Sequence, residues 1–239
     1  MRRKKKKKSI IRKLFVFVLT CFIFISAFVA GIGWVKYEAV TKELSLDDAI
    51  AQIKAKENYT NIDNISLTFI NALVAVEDRR FYKHNGVDVI GIARAFVKNV
   101  KDKTLSEGGS CITQQLAKNM YFINDNTFSR KIAEIFISIE LEKKLSKKEI
   151  LEMYFNVIYY GSGYYNIYDA SMGYFNKTPA KISDYEATLL AGIPNAPSVY
   201  SLKNNPDLAK QRQKTVVNAM VDMKYLTDAE ASAILSRNL

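Results

Sequence analysis

The chain has 239 residues, a single His, two Cys and a formal net charge of +11. The charge is concentrated at the N-terminus, because residues 1–13 contain nine Lys or Arg and no acid, which leaves 26 basic against 24 acidic residues in the remainder. This near balance excludes a general polyanion-binding surface and predicts no nucleic-acid partner, and the single His excludes a multi-histidine metal site.

An uncharged apolar stretch, residues 14–35, follows the basic tail. As a helix its 22 residues extend roughly 33 Å, enough to cross a hydrocarbon layer of about 30 Å. The alternative is a cleaved signal peptide, but residues 27–31 offer only a weak cleavage site inside the run. The basic block predicts a cytoplasmic N-terminus, and Trp34 and Tyr37 are predicted to be interfacial anchors at the outer face.

The chain is thereby divided into four predicted segments. These are a basic cytoplasmic tail over 1–13, a transmembrane anchor over 14–35, a juxtamembrane helical segment over 36–57 and one domain over 58–239. The last segment is predicted to lie outside the cytoplasmic membrane. Cys21 falls in the span and Cys111 is alone outside it, so no disulfide forms within the exposed domain.

The sequence of this domain has the start and stop signals of helices. An apolar helix over 67–76 follows Ser66 and ends at Glu77. Three residues stand three positions before a Glu, the pattern of a capping box: Ser146, Ser183 and Thr227. Residues 192–194, Gly-Ile-Pro, are a helix stop. Alternating strand patterns are scarce, so an all-α or nearly all-α domain is predicted.

Two less regular segments are also predicted from composition. Residues 98–109 are polar and end in Gly, so they are predicted to form a mobile loop, with Ser110 capping the helix that follows. Residues 89–97 are apolar except for Gly91 and Arg94. This segment is predicted to dip into a membrane, with buried core as the competing interpretation.

Three clusters carry residues suited to catalysis: EDRRFYKHNG at 77–86, GGSCITQQLAKN at 108–119 and RKIAE at 130–134. Together they supply two carboxylates, several cations and a run of amides. A carboxylate can remove a proton from an incoming hydroxyl, while Lys and Arg offset charge on a departing phosphate. The combination favours transfer of a sugar from an anionic leaving group.

Each cluster also has a purely structural interpretation. Glu77 follows apolar residues 73–76, which predicts a desolvated carboxylate with a raised pKa, although a solvated helix end is the alternative. His84 is interpreted as a hydrogen-bonded ring that orders the turn at 85–86. Glu134 lies four residues after Arg130 and three after Lys131, which is also the spacing of weak surface ion pairs.

The amides of the second cluster are open to the same two interpretations. Gln114, Gln115 and Lys118 are predicted to share one wall of a polar groove, and the free N–H groups at the start of their helix can hold an anion. Surface positions are the alternative. Glu152 and Asn156 share a helix face, either as structural polar residues or as support for the groove.

The motif blocks resemble glycosyltransferase family 51, the peptidoglycan glycosyltransferases of class A penicillin-binding proteins and monofunctional transglycosylases. The resemblance runs from about residue 58 to 225 and includes the three clusters, KKEILEMYFNVIYYG at 147–161 and ATLLAGIPNAPSVY at 187–200. It implies a mainly α, lysozyme-like domain beside a smaller membrane-proximal jaw, with a groove between them.

The resemblance also implies a role for each residue. Glu77 matches the general base that deprotonates the 4-hydroxyl of the acceptor sugar of lipid II, and Glu134 matches the second carboxylate, which positions the donor pyrophosphate. The matched pyrophosphate-binding cations and polar groove residues are Lys118, Arg130 and Lys131, with Ser110, Gln114 and Gln115. The change from an α-linked donor to a β-1,4 product implies inversion in one displacement. A divalent cation, Mg²⁺ or Mn²⁺, held through the pyrophosphate at Glu134 is compatible with the family, and no organic cofactor is implied.

The implied partners are lipid II, the growing glycan chain, the cytoplasmic membrane and cell-wall synthesis proteins, transpeptidases included. No Ser-x-x-Lys motif is present, so a monofunctional enzyme is predicted. Cys111 stands where the family usually has Thr, and Asn166 and Asn176 stand where Gly is common, so both are predicted at turns with positive φ. Two alternatives stay open: a lytic enzyme, which needs no pyrophosphate-binding cations, and a non-catalytic scaffold, which is expected to lack a motif Glu.

Overall fold

The computed structural model describes residues 2–102 and 108–237, and this part of the chain contains helices and no strand. The α-helices are α1 Arg2–Glu43, α2 Leu46–Lys54, α3 Leu67–Glu77, α4 Val89–Asp102, α5 Ile112–Tyr121, α6 Phe128–Lys144, α7 Lys147–Phe155, α8 Ile167–Phe175, α9 Asp184–Gly192, α10 Pro206–Asp222 and α11 Asp228–Leu235. Short 3-10 turns occupy Ile62–Asn64, Phe81–Lys83 and Ile193–Asn195. The predicted mainly helical fold is confirmed.

Helix α1 is continuous from the basic tail to Glu43, and within the described residues it is the one helix long and apolar enough to cross a membrane. Most side chains of its apolar stretch are exposed, and the contacts with α6 begin only at its end, at Gly33 and Trp34. The predicted single N-terminal apolar helix is therefore confirmed, and its composition fits a membrane anchor.

The last turns of α1 are fixed against one face of α6. A Cβ on Gly33 would lie 2.2 Å from Cγ2 of Ile132, so only glycine permits this approach of the two helices. Four residues later, the Tyr37 hydroxyl donates a hydrogen bond to Glu140 at 2.8 Å. Ile132 and Glu140 are eight residues apart and share a face of α6. Helix α1 thus continues from the apolar stretch into the domain without a hinge.

Helix α3 forms the centre of the core. It is apolar around most of its circumference, with Phe69, Leu73 and Val74 buried, and it packs against α9 and α10. Each such side chain contributes about 1.5–3 kcal/mol by leaving water. The helix ends at Glu77, as predicted, so a carboxylate emerges directly from the buried end of the most apolar element.

The three predicted capping boxes, at Ser146, Ser183 and Thr227, are all confirmed. Helix α9 ends at Gly192, and Pro194 lies in the following 3-10 turn, also as predicted. The predicted cap at Ser110 is wrong. Helix α5 begins at Ile112 with Cys111 at its N-cap, and the Ser110 hydroxyl instead accepts a hydrogen bond from Lys131 at 2.6 Å.

Two turn predictions have mixed outcomes. Asn176 is left-handed at φ 54°, where it ends α8, which confirms the expectation for that position. Asn166 is extended at φ −155°, because its side chain caps α8 by accepting from the Asp169 N–H; the positive φ predicted there is wrong. The loop predicted to begin at Lys98 is also wrong over 98–102, where α4 continues, and residues 103–107 lie outside the described part of the chain.

Helix α4 is amphipathic with its apolar side uncovered. Val89, Ile90, Ile92, Phe96 and Val97 are all exposed. The sole buried position between residues 89 and 97 is Ala95. The alternative that this segment is core is therefore wrong, and its contact with a membrane stays a prediction.

Candidate active site

A groove of about 990 Å³ runs across the domain, with walls from α3, α4, α5, α6 and α10 and from the segments that follow α7 and α9. Every site residue selected from the sequence lines it: Glu77, Ser110, Gln114, Gln115, Lys118, Arg130, Lys131 and Glu134. The three clusters, separated by up to 57 positions in the chain, are therefore brought to one surface.

Glu77 is a largely buried acid in the groove wall. Its side chain is 9% exposed, and burial raises the pKa of the carboxyl, as predicted from the apolar residues before it. Gln115 Nε2 donates to Oε2 at 3.1 Å and Arg212 Nη2 lies 3.7 Å from Oε1, and both neighbours partly offset the rise. Oε1 is buried and receives no hydrogen bond from the described residues.

The orientation of the Gln115 side-chain amide is fixed by a second hydrogen bond. The hydroxyl of Tyr154, a fully buried side chain on α7, donates to Gln115 Oε1 at 2.8 Å. An amide with its oxygen occupied in this way presents its N–H₂ group to Glu77. Three helices, α3, α5 and α7, therefore hold the carboxylate in place.

Glu134 is held by two cations on its own helix. Its side chain is 1% exposed; Arg130 Nη1 contacts Oε1, and Lys131 Nζ lies 2.9 Å from Oε2. Lys131 also donates to Ser110 at 2.6 Å and to Gln114 at 3.4 Å. This is a buried carboxylate in a polar network rather than a weak surface pair, and two cations against one anion leave a positive excess beside the groove.

The same contacts test whether Glu134 forms a metal site. A divalent cation such as Mg²⁺ requires several oxygen ligands in near-octahedral geometry. Glu134 offers one carboxylate, and both of its oxygens already face positively charged groups on Arg130 and Lys131. The residues present do not fit a metal bound by the protein alone.

His84 has the structural position predicted for it. Its buried ring pairs through Nε2 with Asp78 Oδ2 at 2.9 Å, and the same oxygen accepts the Ile112 N–H at 3.1 Å. Gly86 then takes a positive φ of 83°, and its N–H donates to Glu142. The network links the chain that follows Glu77 to the first turn of α5.

Glu152 and Asn156 do not line the groove. Glu152 accepts from the Tyr59 hydroxyl at 2.7 Å and from the Ile62 N–H at 2.8 Å. Asn156 accepts from the Thr60 N–H and donates to the Thr60 carbonyl. Of the two interpretations left open for this pair, the structural one is therefore correct.

Several groove residues were not singled out from the sequence. Arg79, which pairs with Asp222 at 3.1 Å, and Arg212 come from opposite ends of the domain sequence, and Arg94 comes from α4. Tyr159 and Asn195 complete the uncharged part of the wall. Arg79, Tyr159 and Asn195 fall inside the motif blocks, and Arg94 is a cation that interrupts an apolar segment, whereas Arg212 had no sequence signal.

A family model described as Transglycosylase matches residues 46–221, most of the chain and all of the groove clusters. The chain belongs to the transglycosylase family. This transglycosylase is 38% identical over 242 residues to the monofunctional glycosyltransferase of Staphylococcus haemolyticus (strain JCSC1435), a match that covers 98% of the chain and 86% of that relative.

Similarity extends to larger proteins. The chain is 37% identical to penicillin-binding protein 1F of Bacillus subtilis (strain 168), over 98% of the chain and 34% of the relative. It is 43% identical to penicillin-binding protein 1A of Neisseria gonorrhoeae over 77% of the chain, and spans 23% of that relative's length. A crystal structure of penicillin-binding protein 1A from Haemophilus influenzae also matches, at 20% identity and a TM-score of 0.46, over 76% of the chain and 17% of that structure.

In this transglycosylase Cys111 is buried and its thiol lies 3.1 Å from the Gly86 carbonyl, to which it donates. Burial raises the pKa of the thiol to about 12, so it remains protonated at neutral pH. The Cys thus serves as a hydrogen-bond donor at a position where the family resemblance leads one to expect a hydroxyl.

Proposed function

We propose that this transglycosylase polymerises lipid II into β-1,4-linked glycan strands and releases undecaprenyl pyrophosphate. The observation that carries the proposal is the presence, in one groove, of a desolvated carboxylate at Glu77 and a cationic cluster around Glu134. The base suits an acceptor hydroxyl, and the cations suit an anionic leaving group.

Glu77 acts as the general base in this proposal. As the acceptor 4-hydroxyl oxygen attacks the donor C1, its proton passes to the Glu77 carboxylate, which lines the groove. The C1–oxygen bond to the pyrophosphate breaks, and the leaving group keeps the electron pair. The raised pKa strengthens Glu77 as a base, and the hydrogen bond from Gln115 to Oε2 keeps the carboxylate in place.

Arg130, Lys131 and Lys118 stabilise the departing pyrophosphate. Arg130 and Lys131 are positioned by Glu134, and Lys118 is an exposed side chain on the same groove wall. Direct stabilisation of a leaving group that is already a good anion removes the need for a strong general acid. Inversion in one displacement then needs no covalent sugar–enzyme intermediate, and no step passes through a metal.

We further propose that residues 14–35 span the cytoplasmic membrane with the N-terminus in the cytoplasm and the groove on the outer side. The basic tail and the apolar helix α1 support this orientation. The coverage of the Staphylococcus relative supports a monofunctional enzyme. Such an enzyme would work beside separate transpeptidases, because glycan strands must be cross-linked.

Incubation of the purified full chain with lipid II, followed by size separation of the glycan, tests the activity. The expected product is a ladder of polymer that is sensitive to lysozyme. Cleavage of preformed glycan without polymer would identify a lytic enzyme instead. A folded protein that neither makes nor cleaves glycan would be a scaffold, although both motif glutamates line its groove.

A further inference from the structure

The corner between α5 and α6, residues 122–128, presents an uncovered apolar surface. Ile123 is 65% exposed and Phe128 is 68% exposed, and they stand on either side of Asp125. Exposed apolar side chains that lie close together mark a site of interaction with a membrane or a partner. Their position relative to α1 indicates what covers them.

An ion pair links the corner to the first residue after the apolar span. Lys36 is the first charged residue after residues 14–35, and its Nζ lies 2.8 Å from Asp125 Oδ2. This contact lowers the pKa of the Asp125 carboxyl, so the carboxylate that faces Lys36 is ionised across the physiological range. The corner therefore lies at the level where α1 leaves the hydrocarbon.

The first half of α6 lies at the same level. Trp34 meets Phe136 edge to face, with ring centroids 5.3 Å apart, and Gly33 touches Ile132. Both α1 residues belong to the last turn of the uncharged stretch. Trp favours the boundary between headgroups and acyl chains, so the residues that pack on it share that depth.

We propose that residues 122–128 insert Ile123 and Phe128 into the outer headgroup boundary of the membrane that α1 spans. This surface is continuous with the span itself, which argues for lipid rather than a protein as its occupant. It is separate from the exposed face of α4. The inference rests on the anchor proposed above and does not depend on the transfer reaction.

The arrangement has a consequence for the groove. Arg130 and Lys131 follow Phe128 by two and three residues on the same helix, about one turn. With Phe128 in the boundary, both cations lie at the depth of lipid phosphates. A pyrophosphate on a polyprenyl tail then reaches the cationic cluster while its tail stays in the bilayer.

Depth-dependent fluorescence quenching of the full chain in lipid vesicles tests the insertion. Trp34 is the single tryptophan of the chain, so Trp34→Phe gives a dark background that retains an aromatic ring against Phe136. Ile123→Trp and Phe128→Trp are then measured separately in vesicles of phosphatidylcholine brominated either near the top or deep in the acyl chain. Leu208→Trp on α10, at an exposed position of a helix that packs against α3 and α9, is the matched control.

Both corner variants are expected to lose more emission with shallow than with deep bromines, because a side chain immersed by roughly 5–10 Å lies beside the shallow ones. The Leu208→Trp control should keep its emission in both. If Trp34 of the unmodified chain is quenched while positions 123 and 128 are not, the insertion is wrong and the anchor stands. If Trp34 itself escapes quenching, both proposals fail. If Trp34→Phe folds poorly, the tryptophan substitutions are made in the unmodified chain, and the emission of Trp34 is subtracted from that of each variant.

Discussion

Gln115 donates its side-chain N–H to the Glu77 carboxylate at 3.1 Å, and this bond opposes the effect of burial on the same group. Desolvation raises the pKa of Glu77, while the amide donor and the nearby Arg212 lower it. Burial thus makes the carboxylate a better base, while the amide donor favours its ionised form. Gln115 is therefore expected to tune the base as well as to hold it.

Gln115→Leu removes this donor and keeps a side chain of similar size. Loss of the bond favours the neutral acid, so the pKa of Glu77 rises further and the acid limb of kcat/KM against pH moves to higher pH. Asn119→Ala, on the same helix and groove wall, is the control, because its amide donates to the Gln115 backbone carbonyl and not to Glu77. An unchanged acid limb in the Gln115→Leu variant would show that Gln115 does not influence the pKa of the base.

Glu77→Gln is expected to raise stability at neutral pH. The folded-state pKa of Glu77 is raised, so its favourable contribution is present below the unfolded pKa and is lost as the pH rises through the folded one. A neutral amide carries no such penalty. The Tm of the variant should exceed that of the parent at pH 7, with a gap that narrows in acid. A gap that widens in acid would show that the carboxylate is stabilised as an anion.

Lys118 is expected to contribute to turnover but not to the stability of the fold. Lys118→Ala should slow turnover about 100-fold, as loss of a charge-stabilising group does, and leave the Tm unchanged, because the side chain is exposed. Lys181→Ala, another exposed lysine that lies away from the groove, should change neither turnover nor Tm. Normal turnover by Lys118→Ala on lipid II would contradict its assignment to the donor pyrophosphate.

Arg130→Ala should lower turnover and stability together. Arg130 contacts Glu134, whose side chain is 1% exposed, and removal of one partner leaves a buried charge with Lys131 alone. A cost of about 1–3 kcal/mol is expected in urea unfolding. The sequence alone left a weak surface ion pair as one interpretation of this spacing, because burial of Glu134 was not visible there. Unfolding at the parental urea midpoint would show that Lys131 alone is enough to stabilise the buried Glu134 carboxylate.

Helix α4 is expected to tolerate charge on its exposed face but not at its buried position. Ile92→Glu and Phe96→Glu should leave the Tm unchanged, since both side chains are exposed, whereas Ala95→Glu on the same helix should lower it. If the face contacts lipid, each of the first two variants loses apolar burial of about 1.5–3 kcal/mol and works poorly in vesicles but normally in detergent. Equal activity in both media would contradict the contact.

The sequence predicted those parts of the site that depend on local pattern. An apolar run places Glu77 at the end of a buried helix, and the capping boxes at Ser146 and Ser183 follow from side-chain and backbone chemistry within four residues. Gln115 and Lys118 share a wall because helical spacing puts them one turn apart. Each of these follows from contacts between near neighbours in the chain.

Contacts between residues far apart in the chain could not be predicted from the sequence. Arg212 approaches Glu77 because α10 packs against α3, a contact between residues 135 positions apart. The packing of α1 against α6 depends on Gly33, and a glycine in an apolar helix does not by itself predict such a contact. Asn166 shows a local conflict, because an Asn serves equally well as a left-handed turn residue or as a helix cap.

Turnover of lipid II by the Glu77→Gln protein tests the central claim most directly. The substitution keeps the shape of the side chain but removes its ability to accept a proton, so the polymerisation rate should fall by at least about 100-fold. Glu57→Gln, at an exposed glutamate away from the groove, should polymerise at the parental rate. Near-parental polymerisation by a folded Glu77→Gln protein would contradict the assignment of Glu77 as the base.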